Sequence, residues 1–221
     1  MKKIFPFFFF LCVPVLFSCA KKPNAAYVPS PDQEYFNQER INIDTDKITE
    51  SKDGDLPAWL ASYISGGIEE VEKRNTYYGK YVFIGMNEGI NFRALDIWAN
   101  YLSEVKDFTM LAAKRIERRM ISTSSMYPDD EYGIFYETMV KKAYSAEYPG
   151  AVKEDFCWIK ITDDAANDAG TYNFFVLFTI DKMRMQSIVL GMMADTVDSV
   201  EPSRAQLTKI NNLRQTFFWG F

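Results

Sequence analysis

A glycine-containing segment, YVFIGMNEG at residues 81–89, has the residue pattern of a phosphate-binding loop. An apolar run that suits a strand meets Gly85 and Gly89, and Asn91 can begin a helix. Backbone N–H groups at such a strand-to-helix turn bind phosphate in nucleotide-binding proteins. The dinucleotide fingerprint, however, needs three glycines, and the P-loop ends in Gly-Lys-Ser or Gly-Lys-Thr. Because Gly89 is not followed by lysine and Glu88 would repel phosphate, we interpret the segment as a tight turn in which Gly85 ends the strand.

Catalytic and metal-binding residue types are scarce in the rest of the chain. The sequence has no histidine, which removes the commonest general base, the histidine-dependent nucleophile systems and the usual imidazole metal ligand. The loop DDAANDAG at residues 163–170 carries three aspartates, but it lacks the ligand spacing of an EF-hand and is interpreted as a solvated hairpin loop. We therefore predict no catalytic residue, no metal site and no cofactor, and we expect that the protein is not an enzyme.

The N-terminus has the layout of a secretory signal. Two lysines precede an apolar stretch at residues 4–17, which is too short for a membrane span of about 20 residues. The stretch ends in Ser18-Cys19, and this junction resembles the lipobox of bacterial lipoproteins, although Phe17 is bulkier than usual there. The resemblance implies cleavage before Cys19, diacylation of its sulfur and usually acylation of the new amino group, the modification class that includes palmitate. An ordinary secretory cleavage and an uncleaved anchor are the alternatives.

The charge balance argues against nucleic acid as a partner. The full chain has a formal charge of -5, and removing Lys2 and Lys3 from its 25 basic residues leaves 23 against 30 acidic ones, or -7. An acidic protein lacks the electrostatic attraction that dominates nucleic-acid binding. The one basic run, AAKRIERRM at residues 112–120, falls on a predicted helix among apolar positions. We interpret it as a solvated helix face, with contact to anionic lipid headgroups as the alternative.

Composition divides the chain into three parts. Residues 1–18 are predicted to be the signal peptide, and residues 19–56 the lipidated cysteine with a flexible tether, because the stretch is polar, contains prolines and lacks periodicity. A single domain is predicted from residue 57 to residue 221, beginning at Pro57-Ala58-Trp59-Leu60.

The periodicity of the domain predicts an α+β fold in the order β-α-α-α-β-β-α-α. We expect a small, mostly antiparallel sheet of about three strands with helices packed against it. The strands are predicted at residues 78–84, 156–162 and 172–180. Helix starts are predicted at Asn91, Asp107, Asp129–Glu131, Asp181 and Pro202, from capping and first-turn preferences.

Aromatic residues supply the remaining candidate contacts. Three of them on the first and third predicted helices are candidates for lining a ligand pocket between helices and sheet: Trp98, Tyr136 and Tyr144. Phe218 and Trp219 lie in the C-terminal TFFWGF, which either packs on the core or presents an apolar patch to a partner or membrane. The sole cysteine after Cys19, Cys157, lies in a strand-like run and is expected to be buried.

Four segments occur in an order that resembles the LPP-twenty family of bacterial membrane-associated lipoproteins, especially spirochaete-like members. They are PAWL at 57–60, YVFIGMNEG at 81–89, AAKRIERRM at 112–120, and FCWIKI with YNFFVLFTIDK within 156–182. The chain departs from the family pattern because residues 91–106 separate the glycine strand from the alanine-rich helix. The resemblance implies a small α+β fold, a lipid anchor and no known catalytic site, and related domains in flagellar outer-rim proteins suggest envelope assembly by analogy.

Together these features predict a non-enzymatic lipoprotein of the bacterial cell envelope. We expect it to be anchored through Cys19, at the periplasmic face of the outer membrane or at the cell surface, and to act as an interaction or scaffolding module for an envelope protein. The alternative is a lipoprotein that binds a small ligand or lipid in an aromatic-lined pocket.

Overall fold

The computed structural model of the chain describes residues 41–102, 105–124, 133–162, 170–219 and 221. Its four strands are β1 (Ile48–Ser51), β2 (Lys80–Gly89), β3 (Val152–Ile161) and β4 (Thr171–Asp181). Its α-helices are α1 (Ala58–Gly66), α2 (Ile68–Glu72), α3 (Phe92–Tyr101), α4 (Lys106–Ser124), α5 (Gly133–Ser145), α6 (Lys182–Val200) and α7 (Arg204–Thr216). Within these residues, no helix is long and apolar enough to cross a membrane.

The strands form one antiparallel sheet in the order β1-β3-β4-β2. This confirms the predicted α+β class, but the expected count of three strands is wrong, because β1 adds a fourth. β1 lies in the stretch assigned to the tether, and Ile41 before it is buried, so the ordered part of the chain includes residues before position 57. A four-residue edge strand is held by backbone pairing and carries little apolar periodicity, which is why the sequence did not reveal it. The earlier part of the predicted tether and the signal peptide lie outside the described residues.

The sheet is the middle layer of the fold because both of its faces are buried. Along β4, Phe174, Val176 and Phe178 pack under the layer formed by α3 to α7. The alternate residues Phe175 and Leu177 pack under α1 and α2 on the opposite face. A strand covered on both faces is continuously apolar, which explains the uninterrupted apolar run at residues 174–178.

Strand β2 runs past Gly85 and ends at Gly89, so the expectation that Gly85 ends the strand is wrong. Gly85 pairs with Val176 of β4 in regular antiparallel register. A Cβ atom at this position would lie 3.2 Å from Leu102 Cδ2 and 3.8 Å from Leu111 Cδ1. Gly85 therefore lets the helical layer approach the strand closely, and the segment is a strand rather than a phosphate-binding loop.

Two predicted helix starts are confirmed by side-chain caps. Asn91 Oδ1 accepts a hydrogen bond from Ala94 N at 3.1 Å and begins α3. Asp181 Oδ1 accepts one from Arg184 N at 2.9 Å and begins α6 directly after β4. These caps satisfy N–H groups that have no partner within the helix.

The other helix starts differ from the prediction or lie outside the described residues. The last helix begins at Arg204 rather than Pro202, because Ser203 and Gln206 form a capping box. Asp107 lies inside the first turn of α4 rather than capping it. The predicted start at 129–131 lies outside the described residues.

Candidate functional site

A cavity of about 760 Å³ lies between the α1–α2 pair and α4, and aromatic residues that follow α7 line one part of it. Its lining is strongly basic. Five basic and two acidic side chains line it: Lys73, Arg115, Arg118, Arg119, Lys182, Glu69 and Glu72. The lining therefore has a surplus of three positive charges, in a chain whose formal charge is -5. A concave surface of one sign concentrates oppositely charged ligands.

Helical spacing explains how α4 supplies most of this charge. Arg115, Arg118, Arg119 and Ser122 lie at positions i, i+3, i+4 and i+7, so they share one face of the helix. Other faces of α4 carry buried residues of the core: Leu111, Ala112, Ala113, Ile116 and Met120. The interpretation of the basic run as a plain solvated face is therefore wrong for its arginines, which line the cavity.

An ion pair between Glu72 and Arg115 forms the floor of the cavity. Arg115 Nη1 and Nη2 donate to Glu72 Oε1 at 3.1 and 3.2 Å. The two side chains are only 13% and 11% exposed, so the pair is largely shielded from water. Lys182 Nζ lies 3.2 Å from Glu72 Oε2, which gives this carboxylate two cationic partners.

The same ion pair covers the backbone of an edge strand. β2 lies at one edge of the sheet, and Val82 pairs with Thr179 of β4 on the other side. Val82 N donates to Glu72 Oε1 at 3.0 Å, and Val82 O accepts from Arg115 Nη1 at 2.9 Å. The two side chains thus take the place of a neighbouring strand, which protects the edge against pairing with another chain.

Tyr81 is held between cations at the base of the cavity. The Arg115 guanidinium lies 5.1 Å and the Lys182 ammonium 5.0 Å from its ring centroid. The Phe221 ring packs edge-on against Tyr81 with centroids 5.0 Å apart, and Gln186 Nε2 donates to the Tyr81 hydroxyl at 3.1 Å. These contacts fix the aromatic surface in place before any ligand enters.

Arg119 fixes the aromatic end of the cavity. Its Nε donates to Phe217 O at 2.6 Å and its Nη2 donates to Thr216 O at 2.9 Å, at the carbonyl end of α7. Burial lowers the pKa of Arg119, but an arginine with these contacts stays charged at neutral pH. Phe217 is buried, and Phe218 and Phe221 line the cavity. The C-terminal aromatic run is therefore mostly packed, with Trp219 exposed.

None of the three residues predicted for an aromatic pocket lies in the cavity lining, whereas one of the two predicted for a C-terminal patch does. Phe218 lines the cavity, but the lining does not include Trp98, Tyr136, Tyr144 or Trp219. Trp98 packs near Gly85 in the helical layer. The Tyr144 hydroxyl donates to Glu117 at 2.7 Å, and burial together with Glu117 raises the pKa of Tyr136 to about 12. The two tyrosines lie on α5, and Trp98 lies on α3.

Lys114 and Cys157 are ionisable groups that the fold places away from water. Lys114 is 7% exposed, and burial, followed by the charge of Arg118, lowers its pKa to about 8. Lys114, like the three arginines of the basic run, is therefore not a solvated surface residue. Cys157 is a buried free thiol whose pKa burial raises to about 11, which confirms the expectation of a core residue. A thiol in this state is a poor nucleophile at neutral pH.

The predicted lipidation site and the acidic loop considered for metal binding cannot be placed in the structure. Cys19 and the aspartates of residues 163–169 lie outside the described residues. Across the described ranges, no group of three or more acidic or cysteine side chains is arranged to hold a metal ion. The residues that sequence reasoning missed are Glu72, Tyr81 and Lys182. The spacing of the arginines on α4 indicates a shared helix face, but it does not identify these three residues, which lie on other elements.

Comparisons with protein-family models, with curated proteins and with solved structures find no significant match. The resemblance to the LPP-twenty family therefore stays a prediction.

Proposed function

We propose that this chain is a lipid-anchored protein of the bacterial envelope whose folded domain binds a small ligand in the basic cavity, without catalysing a reaction. The observation that carries the proposal is the cavity itself, with its positive surplus and its aromatic end. Cavities of roughly 300–1,000 Å³ with a few convergent polar groups are typical of small-molecule sites. The sequence favours a scaffolding role, and the cavity is the reason why we propose the ligand-binding alternative first.

The preorganisation of the lining supports ligand binding. Glu72, Arg115 and Arg119 are held by hydrogen bonds to one another or to backbone groups, and Tyr81 is fixed by Gln186. A site that is ordered before binding loses little conformational entropy when the ligand enters. The same bonds argue against catalysis, because guanidinium groups do not act as general bases and Glu72 is already bonded to two cations and a backbone N–H.

The cavity can be tested by filling it. Ser122 lines the cavity at an exposed position of α4, so Ser122→Trp should occlude it without disturbing the core. Ile121→Trp is the matched control, because Ile121 is the exposed neighbour and is not part of the lining. Native mass spectrometry of the full chain in neutral detergent should detect a co-purified molecule in the parent and the control, and its loss in Ser122→Trp. A parent protein that is always empty, or equal occupancy in all three, would count against the proposal.

The anchor is tested separately from the cavity. Cys19→Ala should move the protein out of the membrane fraction of cells, because the proposed acyl chains would be absent. If this variant stays with the membranes after high-salt washing, lipid anchoring is not what retains the protein.

A second candidate function, docking of an envelope protein, is supported by exposed apolar side chains at the end of α3 and just after it. Ile97, Tyr101 and Val105 are large apolar residues and are all exposed. Clusters of this kind mark interaction sites more often than scattered apolar residues do. A photo-crosslinking residue at Tyr101 should capture a defined envelope protein in intact cells, whereas the same residue at exposed Arg204 on α7, away from this face of α3, should not. Identical products from both positions would contradict a docking site.

A further inference from the structure

We propose that the ligand of the basic cavity is a phosphate monoester that carries an apolar or aromatic group; this inference rests on the proposed binding function. The phosphate would lie among Lys73, Arg118 and Lys182, and the apolar group would lie against Phe218 and Phe221. Each part of this assignment follows from the charge and packing of the lining.

The charge of the lining favours a dianion. Arg115 and Glu72 neutralise each other at the floor, which leaves Lys73, Arg118, Arg119 and Lys182 against Glu69 in the lining. Glu70, beside the lining, pairs with Lys73 and reduces the surplus to two positive charges. A carboxylate would offset one of these two charges, whereas a phosphate monoester carries about -1.5 to -2 at neutral pH. A neutral or cationic ligand would offset neither. The phosphate monoester therefore matches the surplus better than the other common ligand groups.

The cations assigned to the phosphate come from three different walls. Lys73 follows α2, Arg118 lies on α4, and Lys182 begins α6. Lys73 contacts Glu70 in an ion pair whose side chains are 67% and 45% exposed, and pairs of this kind contribute little stability. Lys182 shares Glu72 with Arg115, and an ammonium group has further N–H donors for a phosphate oxygen. A tetrahedral phosphate can accept hydrogen bonds from several directions, which suits converging cations.

The aromatic end explains why inorganic phosphate alone is not the expected ligand. Phe218 is half-buried and packs edge-on against both Phe217 and Phe221, with ring centroids 5.2 and 5.4 Å apart. Arg119 holds this cluster in place through the carbonyl of Phe217. An apolar or aryl group attached to the phosphate would bury surface against these rings, and this gain is not available to the bare ion.

The test is calorimetric titration of the full chain in neutral detergent with phenyl phosphate, inorganic phosphate and phenol. We expect phenyl phosphate to bind more tightly than either fragment, and its affinity to fall as salt is added. Arg118→Ala should weaken binding by roughly tenfold or more, as expected for a lost charge-assisted hydrogen bond. Lys73→Ala, at a largely exposed position, should weaken it in the same direction. Arg93→Ala is the matched control and should bind like the parent, and melting temperatures verify that each variant is folded.

A second experiment distinguishes two possible sources of the phosphate monoester, a lipid headgroup and a soluble metabolite. Mixed micelles that contain phosphatidic acid test a lipid headgroup, with phosphatidylcholine micelles as the neutral comparison. Arg118-dependent binding to the phosphatidic acid micelles indicates a lipid source, and binding of phenyl phosphate without it indicates a soluble metabolite. Either result supports the assignment. Phenol binding as tightly as phenyl phosphate, or equal affinities for Arg118→Ala and Arg93→Ala, would overturn it.

Failure of this inference is distinguishable from failure of the proposed function. If a co-purified molecule is lost in Ser122→Trp while phenyl phosphate does not bind the parent emptied of that molecule, the cavity binds a ligand of another class. If the parent is empty and phenyl phosphate does not bind, both proposals are wrong.

Discussion

Replacing Glu72 with alanine should destabilise the fold far more than its position on the short helix α2 suggests. The change leaves the Arg115 guanidinium, which is 13% exposed, without its carboxylate. It also removes the acceptor of the Val82 N–H on the edge strand. Removing one partner of a buried ion pair costs about 3–5 kcal/mol, because the other charge stays buried and unpaired. Since small domains are stable by about 5–15 kcal/mol, this loss is a large fraction of the total.

Urea unfolding of the full chain, followed by circular dichroism, measures this loss. Glu69→Ala is the matched control, because Glu69 also lies on α2 but is exposed, and surface changes of this kind stay within about 0.5 kcal/mol. Glu72→Gln should fall between the two, since its amide oxygen can still accept from Val82 N but does not neutralise Arg115. The double variant Glu72→Ala/Arg115→Ala should lose less than the sum of the single variants, because no buried charge is left over. Equal stabilities of Glu72→Ala and Glu69→Ala would refute the assignment of this pair as the cover of the edge strand.

Four further outcomes follow from the packing and charge of the described residues. Cys157 should react with a thiol reagent at pH 8 only as fast as the protein unfolds, because burial raises its pKa to about 11; rapid stoichiometric labelling would contradict this. Lys114→Met should be more stable than the parent below about pH 8, because burial lowers the pKa of Lys114 and the folded parent holds a charged group there. The difference in stability should vanish as the pH rises to the ordinary lysine pKa of about 10.5. Urea unfolding at a series of pH values measures this difference, and a difference that grows with pH would have the wrong sign. Gly85→Val should cost about 1–3 kcal/mol through overpacking, whereas Gly89→Ala, whose Cβ would lie 3.8 Å from Leu95 Cδ1, should cost less than 1 kcal/mol in thermal unfolding. The reverse order would contradict the close approach at Gly85. Glu72→Gln, where it is folded, should bind phenyl phosphate more tightly by calorimetry, because the lining loses a negative charge, and weaker binding would place the phosphate elsewhere.

The features that could be predicted from the sequence are those that depend on neighbouring residues. Asn91 and Asp181 were identified as caps because a short polar side chain precedes an apolar helical stripe, and both make the expected hydrogen bond. The α+β class followed from the same local patterns. Ser203 was missed because Pro202 before it carries a competing signal for the first turn of a helix, whereas the capping box with Gln206 decides the start.

The features that could not be predicted depend on residues far apart in the chain. β1 exists because its backbone pairs with β3, about a hundred positions later, and four mostly polar residues give no periodic signal. Gly85 looked like the end of a strand because glycine is rare inside strands. Its role depends on Leu102 and Leu111 of the helical layer, whose approach the local sequence does not encode.

The basic run shows the same limit at the candidate site. The helical spacing of Arg115, Arg118 and Arg119 predicts that they share a face, but it does not tell whether that face meets water or another element. The answer depends on α2, which precedes the run by more than thirty residues and places Glu72 opposite Arg115. A charged helix face is therefore a candidate site only once the element across from it is known.

One carboxylate links the stability of this fold to the charge of its cavity. Glu72 covers the exposed edge of β2 together with Arg115, and it also neutralises that arginine within the lining. Removing the negative charge should weaken the sheet edge and strengthen anion binding at the same time. A surface carboxylate elsewhere on α2 would adjust the cavity charge without touching the strand. Glu72, in contrast, also serves the strand, because Arg115, which donates to Val82 O, must stay paired with Glu72 to remain in place. The positive charge that the cavity offers a ligand is therefore limited by the need to keep the edge of β2 covered.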